Sequence, residues 1–247
     1  MTALVATATR RAAMISQDSA VALVPPALRH GIATGFGDAY RSAFVGDGRP
    51  RDDTAVAWRE EKVRLFRAAR FAVGCTGTLH VHRAHLGDLD AEPPVSLDEA
   101  ARLAPARLRR AYTTLPAPSD HLELYAGWSD AEDAFVIWVF SHSDDFAGVR
   151  ALPGGGHTMV PPPSTDDPAY VELHGASQAG VIGDPSIERT ARFHRRYMAN
   201  VRRSFRRGLY GDHAVISGPF HTGCITRDEA WVEEWTLRDE PARAEAA

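Results

Sequence analysis

The run Phe135-Val-Ile-Trp-Val-Phe140 limits the fold more than any other segment. It is too short for an ordinary helix and rich in β-branched and aromatic residues, so it reads as a strand. Both of its faces are apolar, and such a strand has to be covered on both sides. His121 to Trp128 precedes it as a second strand, and Ser129-Asp-Ala-Glu-Asp-Ala134 joins the two into a hairpin. Pairing Trp128 with Phe135 sets Glu123 opposite Phe140 and His121 opposite His142.

Further strands are predicted at Ala20 to Val24, Phe71 to Arg83, Tyr170 to His174 and His213 to Ser217, with a final hairpin of Phe220 to Thr226 and Trp231 to Leu237. Helical spacing of Leu28, Ile32, Phe36, Tyr40 and Phe44 predicts a helix over 27–44. Asp52-Asp53-Thr54 supplies N-cap chemistry for another, running to about Ala69. Ser96-Leu-Asp-Glu99 is a capping box, and Pro105 is expected to interrupt or restart the helix it opens. The longest helix opens at Asp184-Pro185 and runs over about 185–207, with Ile187, Ala191, His194, Met198, Val201 and Phe205 as its apolar stripe and Gly208 as its terminator. Residues 144–168, with Gly154-Gly-Gly156 and Pro161-Pro-Pro163, read as a long surface loop. These elements point to an α+β fold: a loose leader over 1–19, a single domain over 20–240 with a largely antiparallel sheet and several flanking helices, and a frayed tail over 241–247.

A chain of 247 residues with 44% hydrophobic and 24% charged residues is an ordinary globular composition, and no stretch approaches the ~18 apolar residues that cross a bilayer. Arg10 and Arg11 follow the mildly apolar opening, the reverse of a secretory leader, which sets a cytoplasmic expectation. Two cysteines, Cys75 and Cys224, fit a reducing compartment. Lys62 is the sole lysine and Asn200 the sole asparagine, a bias that reads as GC-rich coding. The net charge of −4 argues against nucleic acid as a partner; a small-molecule substrate and a homo-oligomer are compatible with it.

Three segments carry potential metal ligands two residues apart: His80-Val-His82, His121-Leu-Glu123 and Glu172-Leu-His174. On a strand each pair points to one face. Gly74 followed after five residues by His80-Val-His82 resembles the opening of the cupin metal motif. The glutamate of that motif is missing and the flanking helices do not suit a cupin, so the chain is not assigned to that family. A divalent iron or zinc ion is expected on His80, His82, His121 and His142, with Glu123 as acid or base beside it. His194 in the apolar stripe is a core histidine, a catalytic base or a haem ligand beside Met198 and Phe205. Alternation sends His221 and Cys224 to opposite strand faces. Arg189, Arg192, Arg195, Arg196, Arg202, Arg203, Arg206 and Arg207 make the long helix a candidate binding face, with Glu229, Glu233 and Glu234 as possible internal partners.

No Walker A motif, dinucleotide glycine fingerprint, His-Glu-x-x-His or paired Cys-x-x-Cys occurs. The leading expectation is a cytoplasmic small-molecule enzyme with a mononuclear metal site. The alternatives are a sensing or partner-binding domain that uses the arginine face, and a haem enzyme.

Overall fold

The computed structural model describes residues 2–21, 58–59, 61–114, 120–150, 156–160, 186–206, 216 and 218–237. Its strands are β1 (Leu4–Ala8), β2 (Ala12–Asp18), β3 (Ala20–Val21), β4 (Trp58–Arg59), β5 (Arg64–Phe66), β6 (Phe71–Gly77), β7 (His121–Ser129), β8 (Ala134–Ser141), β9 (Val149–Arg150), β10 (Gly156–Val160), β11 (Phe220–Thr226) and β12 (Ala230–Trp235). Its helices are α1 (Leu79–Ala91), α2 (Leu97–Thr113) and α3 (Ile187–Arg206). One five-stranded sheet has the order β10-β1-β2-β11-β12, a second the order β5-β6-β7-β8-β9, and β3 pairs with β4. Every ladder among the described residues is antiparallel.

Strand alternation sorts the apolar residues into three layers of core. Leu4, Ala6, Ala8, Ala13 and Ile15 of the first sheet meet Ala72, Leu122, Leu124, Ala126, Phe135 and Ile137 of the second. On the outer side of the first sheet, Ala3 and Val5 pack against Phe193, Tyr197, Met198 and Val201 of α3. Outside the second sheet, Phe71, Val73, Tyr125 and Phe140 receive Val81 and Leu89 of α1 and Ala104 and Leu108 of α2. The order of layers is therefore helix, sheet, sheet, helices, an α+β arrangement in which both sheets are covered on both faces.

The sheets approach closely at Gly74, where an added Cβ would lie 2.8 Å from Gln17 Oε1 and from Ile15 Cδ1. Here the Gln17 side chain crosses between sheets: its oxygen accepts from the Cys75 backbone N–H at 3.0 Å and its amide donates to the Cys75 carbonyl. Strand β5 pairs with β6 only from Phe71 to Val73, so Gln17 supplies at Cys75 what a neighbouring strand would supply.

Several expectations are met. The β7–β8 hairpin has Trp128 opposite Phe135 and Glu123 opposite Phe140. Ser96 Oγ accepts from the Glu99 N–H at 3.2 Å, and β11 pairs with β12. Others are corrected. The leader over 1–19 is two buried strands at the centre of the first sheet, because alternate residues of Leu4–Ala8 and Ala12–Asp18 have a core on either side. The strand from Phe71 stops at Gly77, whose φ of +106° turns the chain, and Leu79 begins a helix. Trp58–Arg59 and Arg64–Phe66 are strands where a helix to Ala69 was expected. Helix α2 runs through Pro105, its missing N–H offset by the burial of Ala100, Ala104, Leu108 and Ala111. The loop expected over 144–168 contains β9 and β10, the latter an edge partner of β1. Helix α3 is capped by Ser186, whose Oγ accepts from the Arg189 N–H at 3.3 Å. The segments 27–44, 170–174 and 241–247 lie outside the described residues, as does most of 213–217.

Candidate functional site

Two polar groupings sit next to each other where the sheets meet α1. In the first, Thr2 leads into β1 and Asp18 closes β2, so strand pairing brings the two together. Asp18 Oδ1 accepts from the Ala3 N–H at 2.8 Å, fixing the backbone next to Thr2. Lys62, just before β5 of the opposite sheet, donates from Nζ to Thr2 Oγ1 at 2.8 Å. The Thr76 hydroxyl near the end of β6 donates to the Thr2 carbonyl at 3.5 Å. Thr2, Asp18 and Lys62 are all buried, and a buried ammonium resting on a hydroxyl stabilises negative charge on that oxygen.

The second grouping lies between the second sheet and α1. Strand register sets Cys75 opposite Glu123 and Gly77 opposite His121, and the first turn of α1 drops His82 onto them. His82 Nδ1 lies 2.8 Å from Glu123 Oε1 and 3.1 Å from Oε2, while its Nε2 lies 3.0 Å from the Lys62 carbonyl oxygen. His121 Nε2 lies 3.0 Å from Glu123 Oε1. A carbonyl and a carboxylate can only accept, so these contacts assign a proton to each nitrogen of His82 and make it an imidazolium. Burial pulls the His82 pKa down, but Cys75 and Glu123 outweigh it and raise the value well above 6.5. Burial likewise pushes Glu123 up, and His82 and His121 bring it down to about 2.

His85, one turn further along α1, accepts the Tyr125 hydroxyl proton at Nε2. Burial lowers its pKa to about 4 against the Glu123 charge, which raises it, and burial raises Tyr125. His85 is thus neutral beside a charged neighbour.

Of the residues expected to hold a metal, the structure brings His82, His121 and Glu123 together and leaves two apart. His80 is exposed on α1 and bonds Thr114 Oγ1 at 3.2 Å, because the helix turns it away from His82. His142 falls just beyond the β7–β8 ladder in a short 3-10 turn and stacks on Tyr112 at 4.2 Å. Cys75, which the spacing argument passed over, joins instead: one ligand atom each of Cys75, His82 and Glu123 lies within 4.8 Å of the others, and this group could hold a metal ion.

His194 is buried under the first sheet, with Thr7 Oγ1 3.1 Å from Nε2 and Ser16 Oγ 2.7 Å from Nδ1. A haem iron would have to displace one of these hydroxyls. On the arginine face of α3, Arg195 pairs with Glu233 at 2.9 Å and lies over Trp235, and Arg202 donates to the Ile216 carbonyl. Burial and Glu233 push Cys224 up to about 12, an inert thiol. Glu172 and His174 lie outside the described residues.

No protein family and no curated protein matches the chain. Solved structures do. The (Gly-1) mutant of Anbu from Hyphomicrobium sp. strain MC1 has a TM-score of 0.64 at 12% identity, over 97% of this chain and 90% of that one. Anbu from Yersinia bercovieri, described as an ancestral beta-subunit, has a TM-score of 0.58 at 12% identity, over 93% of this chain and 86% of that one. The likeness is one of fold.

The His82–Glu123 pair gives stability a defined pH window. The lowered Glu123 contributes fully above its ordinary 4.5 and loses that contribution as pH falls toward about 2. The raised His82 contributes fully below its ordinary 6.5 and loses that contribution as pH rises through the folded value. Glu123→Gln is expected to destabilise by about 3–5 kcal/mol between these limits, near pH 6, and by distinctly less at pH 9. Urea unfolding of wild type and variant at the two pH values checks this.

Proposed function

We propose that the chain is an N-terminal-nucleophile hydrolase in which Thr2 Oγ1 attacks an amide or ester carbonyl once the Met1–Thr2 bond has been cleaved. The carrying observation is the Lys62 ammonium held on Thr2 Oγ1 at 2.8 Å in a buried setting. Asp18 adds support by anchoring the Ala3 N–H, and so does the likeness in fold to Anbu, one structure of which is described as an ancestral beta-subunit.

Cleavage before Thr2 leaves an amine and a hydroxyl on one residue. A free α-amine titrates near about 7.7–8.0, against about 10.4 for a lysine, so the amine is the base suited to neutral pH. It takes the Oγ1 proton as the oxygen bonds to the substrate carbonyl carbon, and Lys62 stabilises the charge developing on Oγ1. The resulting ammonium protonates the leaving nitrogen or oxygen as its bond to that carbon breaks, leaving an ester on Thr2. Water, deprotonated by the same amine, then hydrolyses the ester and releases the acid.

A β-lactone reports the first half of this cycle without knowledge of the substrate: Oγ1 opens the ring and retains the acyl group. Intact-protein mass spectrometry is expected to find one adduct on Thr2 in wild type and in Thr2→Ser, and none in Thr2→Ala. Lys62→Met is expected to acylate at least about 100-fold more slowly. Equal labelling of wild type and Thr2→Ala would reject the reading.

A second reading, a zinc or ferrous ion held by Cys75, His82 and Glu123, is favoured by the clustering of their ligand atoms. The ion would have to replace the proton between His82 Nδ1 and Glu123, a contact already at 2.8 Å. Metal analysis of untagged protein separates the readings: near-stoichiometric metal supports the ion, and its absence after addition of zinc or ferrous iron removes it.

A further inference from the structure

The Lys62 side chain meets Thr2, but its main chain is held elsewhere. Its carbonyl oxygen accepts from His82 Nε2 at 3.0 Å, and no ladder pairs Lys62 with a neighbouring strand among the described residues. His82 is gripped in turn: Nδ1 lies on both oxygens of Glu123, and Glu123 takes a second donor from His121. All three side chains are buried, and Cys75, His85 and Tyr125 close the surroundings from β6, α1 and β7.

A core of this fold could fill that space with apolar side chains at no loss of stability, since buried ion pairs seldom stabilise more than their hydrophobic replacements. An imidazolium donating at both ends does something an apolar side chain cannot. It fixes the distance from the rigid β7 strand to the irregular segment that carries Lys62. Thr2 stands at the head of one sheet, where Asp18 holds the neighbouring Ala3 N–H, and Lys62 stands at the head of the other, where His82 holds its carbonyl.

We infer that His82 is a positioning residue for the hydrolase: its Nε2–H holds the Lys62 carbonyl, and Glu123 and His121 hold His82, so that the Lys62 ammonium rests on Thr2 Oγ1. The inference rests on the reading of Thr2 as nucleophile. His82 itself does not touch substrate; its effect passes through Lys62.

The test follows β-lactone acylation of Thr2 in the full-length protein, separating reversible binding from the acylation step and recording the rate against pH. Removing the donor with His82→Leu is expected to slow acylation at least about 10-fold, a displacement effect, while lactone binding stays unchanged. With the ammonium no longer fixed beside Thr2, the midpoint of the pH profile moves upward. His82→Gln, whose amide can still donate to the Lys62 carbonyl, restores most of the rate. Glu123→Gln, which leaves His82 in place without its carboxylate, shifts the midpoint in the same direction and serves if His82→Leu does not fold. Wild-type rate and midpoint in folded His82→Leu or Glu123→Gln would overturn the positioning role. So would a rate that falls only in step with the folded fraction. If the wild type itself gains no adduct on Thr2, the hydrolase reading fails, and the positioning role fails with it.

Discussion

The contact between Thr2 and Lys62 bridges the two sheets, and the stacking of those sheets makes it possible. Small residues on the inner face of β1, Ala6 and Ala8, let the second sheet come close, and Gly74 lets Gln17 cross the gap to the Cys75 backbone. Thr2 precedes β1 and Lys62 precedes β5, so both lie outside the ladders, next to backbone held by the side chains of Asp18 and His82.

Polar groups gather at that end of the sandwich at a cost that the apolar layers must carry. His82, His121 and Glu123 are enclosed together, and breaking a buried pair leaves a charge without a partner. The pair is stable because the carboxylate accepts from two rings and the His82 ring donates at both ends. Fixed dipoles and charges of this sort are what a nucleophile needs beside it, because they do not have to reorganise when charge develops.

Much of the fold was legible in the sequence where local pattern and tertiary context agree. The β7–β8 register followed from Trp128 and Phe135, the start of α2 from Ser96 and Glu99, and α3 from its apolar stripe. Sequence pattern misleads where one stretch fits two periods. Thr78-Leu-His-Val-His82 alternates like a strand, yet Val81, His82, His85 and Leu89 also form the buried stripe of α1. Helical geometry keeps His82 and turns His80 to the surface, so the metal-ligand pair separates. Glu123 and His121 share a face as expected because the hairpin register is as expected. Cys75 was not paired with them, since its partnership depends on the β6–β7 register that the sequence left open.

The residues of the proposed hydrolase site were hidden for a different reason. Ala3 to Asp18 has few large apolar residues, because the sheets pack tightly there, and a run of small residues reads as a leader. The signal that was present is Lys62, the one lysine beside so many arginines. The account depends on Thr2 gaining a free amine. The most direct measurement is the intact mass and N-terminal sequence of the purified, untagged protein. The account predicts a chain that begins at Thr2 with an unblocked amine, whereas active protein that retains Met1 or carries a blocked Thr2 would contradict it.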